Sequence, residues 1–162
     1  MEPFSIERAA FNKAGYILIN HLIHNGIDEE YVNEDDKYYD LAILENDYLS
    51  QYRNKVFNND IIMCIRAGSI AERYYCWIEC INYDPPISGD DLWMISRLYY
   101  EGKHKIRNFE EHIRGIDEET EVLIKKHWSF VMIVAGQLII RNRLTTEEIK
   151  GFWNNYQLTK KR

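Results

Sequence analysis

Two apolar, helix-forming stretches of this chain each carry an alanine and a glycine side by side near their middle, and that pairing constrains the fold more than any other feature. The first is Ala9 to His24, AAFNKAGYILINHLIH, interrupted by Asn12-Lys13 and then by Ala14-Gly15. The second runs from about Ile61 to Ile81 and holds Ala67-Gly68-Ser69-Ile70-Ala71-Glu72. Helices with such small side chains at matching depth can bring their backbones close together, so a tight crossing of Ala14-Gly15 on Ala67-Gly68 is expected.

Start and stop signals frame the rest of the chain. Ser5 is a good N-cap for the first helix, Glu7 sits in its first turn, and Asn25-Gly26 should end it. Residues 28–40 are acidic and rich in turn formers. The segment Tyr38 to Tyr52 mixes strand formers with Glu45-Asn46-Asp47, which predicts a small β-hairpin. Asn58-Asn59-Asp60 offers caps for the second helix, with Ile62, Ile65, Ala67, Ile70, Ala71 and Trp77 on its apolar side, and Asp84-Pro85-Pro86 breaks it. Ser88-Gly89-Asp90-Asp91 opens a helix through about Glu101. A charged linker follows from Gly102 to Gly115, in which Phe109 to Ile113 could form a helical turn. Asp117 then opens the longest helix, reaching Asn142, and Thr145 to Glu148 forms a capping box for a last helix ending near Tyr156. The sum is a mainly α protein of about five helices with a small β-hairpin, one domain over residues 1–162.

Composition narrows the function classes. A net charge of -6 and a pI near 5.4 disfavour the basic surface that nucleic acid or anionic lipid requires, with only Lys160-Lys161-Arg162 locally basic. No apolar run approaches the roughly 20 residues needed to span a bilayer. Met1-Glu2-Pro3 lacks a charged-then-apolar leader, so a cytoplasmic location and no membrane insertion are expected. Cys64, Cys76 and Cys80 are an odd set, and an i, i+4 pair suits a disulfide poorly, which predicts reduced and mostly buried thiols. No Gly-rich phosphate loop and no Gly-x-Ser-x-Gly elbow is present.

The residues Asn12-Lys13-Ala14-Gly15-Tyr16, the pattern Ala67-Gly68-x-x-Ala71-Glu72, and the closing stretch LIKKHWSFVMIVAGQLIIRNRLTTEEIKGFW together resemble the FtsH-type zinc metallopeptidase domain and its stand-alone relatives. That family spells the first motif His-Glu-Ala-Gly-His. Two imidazoles one helical turn apart hold the zinc ion and the Glu activates its water. Here Asn12, Lys13 and Tyr16 stand in those three places. The resemblance implies the fold, including a small β element between the first two long helices, and implies that the peptidase chemistry is gone. It places the third ligand at Asp91, with Asp90 as the alternate, although Asp91 reads equally well as a helix cap with Ser88.

A lone carboxylate, an amide, a neutral phenol and a nearby ammonium make a poor zinc site, so no metal or other cofactor is expected. His21 and His24 lie roughly 180° and 120° around the helix from Asn12 and cannot serve that site. His104, His112 and His127 are isolated. With Asn12 and Tyr16 about 40° and one turn apart, a polar cluster of Asn12, Tyr16 and Asp91 is the expected substitute for the metal, with Lys13 a less favoured member. The leading functional expectation is an inactive, metallopeptidase-like binding or regulatory module that takes a peptide or protein partner. The alternatives are a hydrolase with a relocated metal site and an interaction protein, including an oligomer, acting through exposed Tyr and Trp.

Overall fold

The structure, a computed structural model, describes residues 5–23, 38–41, 59–83 and 109–161. In chain order they form α1 (Ile6–Ile23), β1 (Tyr38–Asp40), α2 (Asn59–Ile78), α3 (Phe109–Lys126), α4 (Trp128–Arg141), β2 (Arg143–Thr145) and α5 (Thr146–Lys160). The protein is mainly helical. The expected helix over Ser88–Glu101, and with it Asp90 and Asp91, lies outside the described residues, as do the ends proposed at Asn25-Gly26 and Asp84-Pro85-Pro86.

The central element is α1. Ser5 caps it through the Arg8 N–H, 3.3 Å from the Ser5 Oγ, and every residue from Lys13 to Ile19 is buried. A helix buried on all sides over two turns must be surrounded by other elements. It packs chiefly on α2 and next on α4, while α3 lies against α2 and α5 against α4. Residues 62–71 of α2 are buried without interruption, so the crossing of α1 and α2 is the middle of the core. Each fully buried Ile or Leu there, such as Ile17, Leu18, Ile62 and Ile65, contributes about 2 kcal/mol by leaving water.

α2 ends where its last carbonyls turn back on themselves. The Ile81 N–H donates to the Cys76 carbonyl at 2.8 Å and the Cys80 N–H to that of Trp77 at 3.3 Å, with Cys80 in the left-handed region at φ 56. This is the paired closure usually built on glycine. It stops the helix at Ile78 rather than near Ile81. It also leaves Cys80 exposed, whereas Cys64 and Cys76 are buried; all three are free thiols. Trp77, expected on the apolar side, is 73% exposed.

The single long helix expected from Asp117 to Asn142 is two helices. α3 begins eight residues earlier at Phe109 and passes through Asp117 without a break. It ends at Lys126, and α4 leaves at 78° to it. His127 is the joint: its N–H closes the last turn of α3 on the Leu123 carbonyl, and its own carbonyl accepts from Phe130 and Val131 at the start of α4. Ile116, Thr120 and Ile124 of α3 and Phe130, Val131, Val134, Ala135 and Leu138 of α4 would share one stripe of a straight helix, so their spacing does not call for the bend. What the bend achieves is to lay α3 on α2 and α4 on α1.

α3 is fixed to α2 by a buried ion pair, in which Arg66, 3% exposed, donates to both oxygens of Asp117 at 2.8 and 2.6 Å. Two donors aimed at one carboxylate are the geometry that offsets the cost of burying the guanidinium. α4 closes on Asn142, left-handed at φ 64, whose N–H reaches the Leu138 carbonyl at 2.8 Å. The chain then enters β2, which pairs antiparallel with β1 in the register Tyr38↔Thr145, Tyr39↔Leu144, Asp40↔Arg143. Of the hairpin expected within Tyr38 to Tyr52, the turn at Glu45-Asn46-Asp47 and the second strand lie outside the described residues; the partner observed for Tyr38–Asp40 is distant in sequence. At the start of α5 the Thr145 Oγ1 accepts from the Glu148 N–H at 3.1 Å. The Glu148 carboxylate accepts from the Thr145 N–H at 3.2 Å, completing the capping box. Arg141 also pairs with Glu148. No single helix among the described residues is long and apolar enough to cross a membrane.

Candidate functional site

Three residues spaced by four, Asn12, Tyr16 and Asn20, point from one side of α1 toward its neighbours. The Asn12 amide donates to a Glu72 carboxylate oxygen on α2 at 2.9 Å. Tyr16 is buried and meets Tyr39 of β1 edge-on, ring centroids 6.3 Å apart. Asn20 donates to the Tyr39 hydroxyl at 2.8 Å. The strand ribbon therefore covers the second half of this face, and Glu72 covers the first.

Burial raises the Glu72 carboxyl above its ordinary value. The Asn12 hydrogen bond and the Arg8 guanidinium act in the opposite direction without cancelling it. Lys13, whose long stem was expected to carry it to solvent, is only 4% exposed. Asp91, the expected third member of the cluster with Asn12 and Tyr16, lies outside the described residues. The partners that the structure does give those two are Glu72 and Tyr39, neither of which was singled out beforehand as a site residue. Glu72 was nonetheless within sight in the sequence, because it ends the small-residue pattern that faces the same turn of α1.

Gly15 faces a close approach of α1 to α2. A Cβ placed on it would lie 2.3 Å from the Ala71 Cβ and 2.7 Å from the Ala67 carbonyl oxygen. Ala14 and Ala67 are wholly buried and Gly68 is buried. Gly15 is laid on Ala67 and Ala71, four residues apart on α2, so Ala71 joins Ala67 in defining the crossing.

The zinc ion that the resemblance implies does not fit this donor set. The Asn12 amide is committed to a carboxylate, the Tyr16 phenol is packed on another phenol, and Lys13, itself buried, ends in an ammonium that cannot ligate. None offers the imidazole or thiolate that a zinc ion prefers. Among the described residues no group of three or more His, Cys, Asp and Glu is arranged to hold a metal.

On the opposite side of α1 a second cluster forms that the sequence did not announce. His21 and His127 both lie against Trp153 of α5, with ring centroids at 4.9 and 5.3 Å, and Phe130 meets the same indole edge-on at 5.0 Å. His127 Nδ1 is 3.1 Å from the Tyr156 hydroxyl and 3.4 Å from the Lys160 ammonium. His21 Nε2 is buried without a hydrogen-bond partner. Burial pushes the His127 imidazole down to about 4, aided by Lys160 and Lys126. Burial, then Lys150, also holds His21 below its ordinary 6.5. Both rings are neutral near pH 7.

A third group of rings reaches the surface. Phe11 stacks on Tyr75 at 4.1 Å and on Trp128 at 5.3 Å. Tyr74 meets Trp128 edge-on and stacks with exposed Trp77 at 5.9 Å. No family model, no curated protein and no solved structure matches the chain.

Proposed function

We propose that the protein is a binding or regulatory module without peptidase activity, built on a scaffold resembling the FtsH-type peptidase domain, and that it takes a peptide or protein segment. The observation that carries this reading is the hydrogen bond from Asn12 to Glu72. Where the resemblance calls for a metal ligand, an amide and a carboxyl satisfy each other. The adjacent Lys13 cannot take the place of a carboxylate base, since an ammonium has only protons to donate. With Asn12, Lys13 and Tyr16 in the places of the two imidazoles and the glutamate, this face lacks the groups by which the resembling peptidases activate water.

The test is a peptide array probed with the full chain, run beside a casein-cleavage assay. A defined class of peptides bound without turnover is the expected result; cleavage of casein by metal-free protein, or an array with no binding above scrambled controls, contradicts it. A second reading, an interaction protein working through a different surface, is favoured by Trp77, 73% exposed and stacked on Tyr74, with Ile78 and Ile81 also exposed. Trp77→Ala separates the two. It abolishes partner binding if the aromatic surface is the working one, and leaves peptide binding unchanged otherwise.

A further inference from the structure

The cluster around Trp153 holds two imidazoles in positions that tolerate only the neutral ring. The Lys160 ammonium can only donate, so His127 Nδ1 beside it is the accepting nitrogen and the ring proton sits on Nε2. The Tyr156 hydroxyl points at the same Nδ1. A second proton, which must go to Nδ1, would break the Lys160 contact, force the Tyr156 hydroxyl to turn from donor to acceptor, and set a cation 3.4 Å from another. His21 has the complementary problem, because a proton on its buried Nε2 would meet no acceptor. The charged groups that act on the two rings are Lys126 from α3 and Lys150 and Lys160 from α5, all cations. From α4 the neighbour is Phe130, which carries no charge.

These contacts also join three separate parts of the fold. His21 belongs to α1, His127 is the joint between α3 and α4, and Trp153 and Tyr156 are two of the three buried anchors of α5. Removing the rings' neutrality would therefore act on the attachment of α5 and on the bend together.

We propose that the cluster is an acid-sensitive latch, in which protonation of His21 and His127 releases α5 from α1 and from the α3–α4 joint while the α1–α2 crossing stays closed. Release uncovers the Trp153 and Phe130 rings, giving the protein an apolar surface under acid that it lacks at neutral pH. The direction follows from linkage: an unfolded histidine takes its proton near 6.5, and the latched rings resist it to lower pH. The stabilisation is thus complete above 6.5 and is lost as pH falls toward about 4.

Amide hydrogen exchange of the full chain, corrected for the intrinsic effect of pH, tests this. Protection of residues 149–158 is expected to fall about tenfold or more between pH 6.5 and 4, with that of residues 13–19 and 62–71 changing far less. In His21→Leu/His127→Gln the α5 response should flatten. Retention of α5 protection to pH 4 in the native chain overturns the proposal, and so does an unchanged response in the double variant. If that variant does not fold, NMR titration of the histidines in the native chain decides: both rings titrating well below 6.5 supports the latch, and either titrating near 6.5 with α5 still protected contradicts it.

Discussion

α1 is held from two sides by opposite means. Against α2 it is held by shape, with Gly15 laid on Ala67 and Ala71 so closely that no side chain fits between. Against α4 and α5 it is held by bulk, through His21 packed on Trp153 and Phe130. Polar chemistry differs in the same sense. The α2 side holds a partly buried Glu72, whose carboxyl is raised above its ordinary value, and the α5 side holds imidazoles lowered below theirs. One contact surface fails when a side chain grows and the other when a proton arrives.

The largest expected effect breaks the shape side. Gly15→Leu forces the helices apart, and since overpacking costs about 1 to 3 kcal/mol before any helix displacement, we expect about 4 kcal/mol and a matching fall in denaturation midpoint. An unchanged midpoint would show that the crossing is looser than described. Trp153→Ala breaks the bulk side, with an expected loss of about 3 kcal/mol from the cavity left among His21, His127 and Phe130, measurable by urea unfolding.

Smaller changes sharpen the contrast. Thr145→Ala removes the α5 cap and should cost about 1 kcal/mol. Cys80→Gly relieves a non-glycine residue at φ 56 and should stabilise by about 1 kcal/mol. Glu72→Gln tests the polar difference. A carboxyl raised by burial contributes most below its unfolded value of 4.5 and progressively less as pH rises past it. The substitution should therefore raise the midpoint slightly at pH 7 and not at pH 4, the reverse of the histidine cluster.

Much of the shape side could be read from the sequence, because small residues and caps act locally. Ser5, the Ala-Gly pairs and the Thr145–Glu148 box all declare themselves within a few residues. The bulk side could not. Nothing in Lys126-His127-Trp128 signals a 78° bend, since neither proline nor glycine marks it and the apolar positions on either side keep one helical stripe through it. His21 was correctly turned away from Asn12 by helix geometry, but what it met depended on how α5 folds back. Ile149, Trp153 and Tyr156, spaced four and three apart, were the available sign of an inward face on α5. The β1–β2 pairing was likewise nonlocal, and a three-residue strand carries too little pattern to name its partner. Trp77 was misplaced because it lies in the last turn of α2, where the chain reverses at Cys80 and leaves it in solvent.

The central proposal is that α1 works at Asn12, Lys13 and Tyr16 by packing and hydrogen bonding and holds no zinc there. Its most direct test is calorimetric titration of zinc into metal-free protein at pH 7. The account predicts no stoichiometric binding that depends on α1, with Asn12→Ala and Tyr16→Phe behaving as the native chain. One equivalent of tightly bound zinc, lost in either variant, would contradict it.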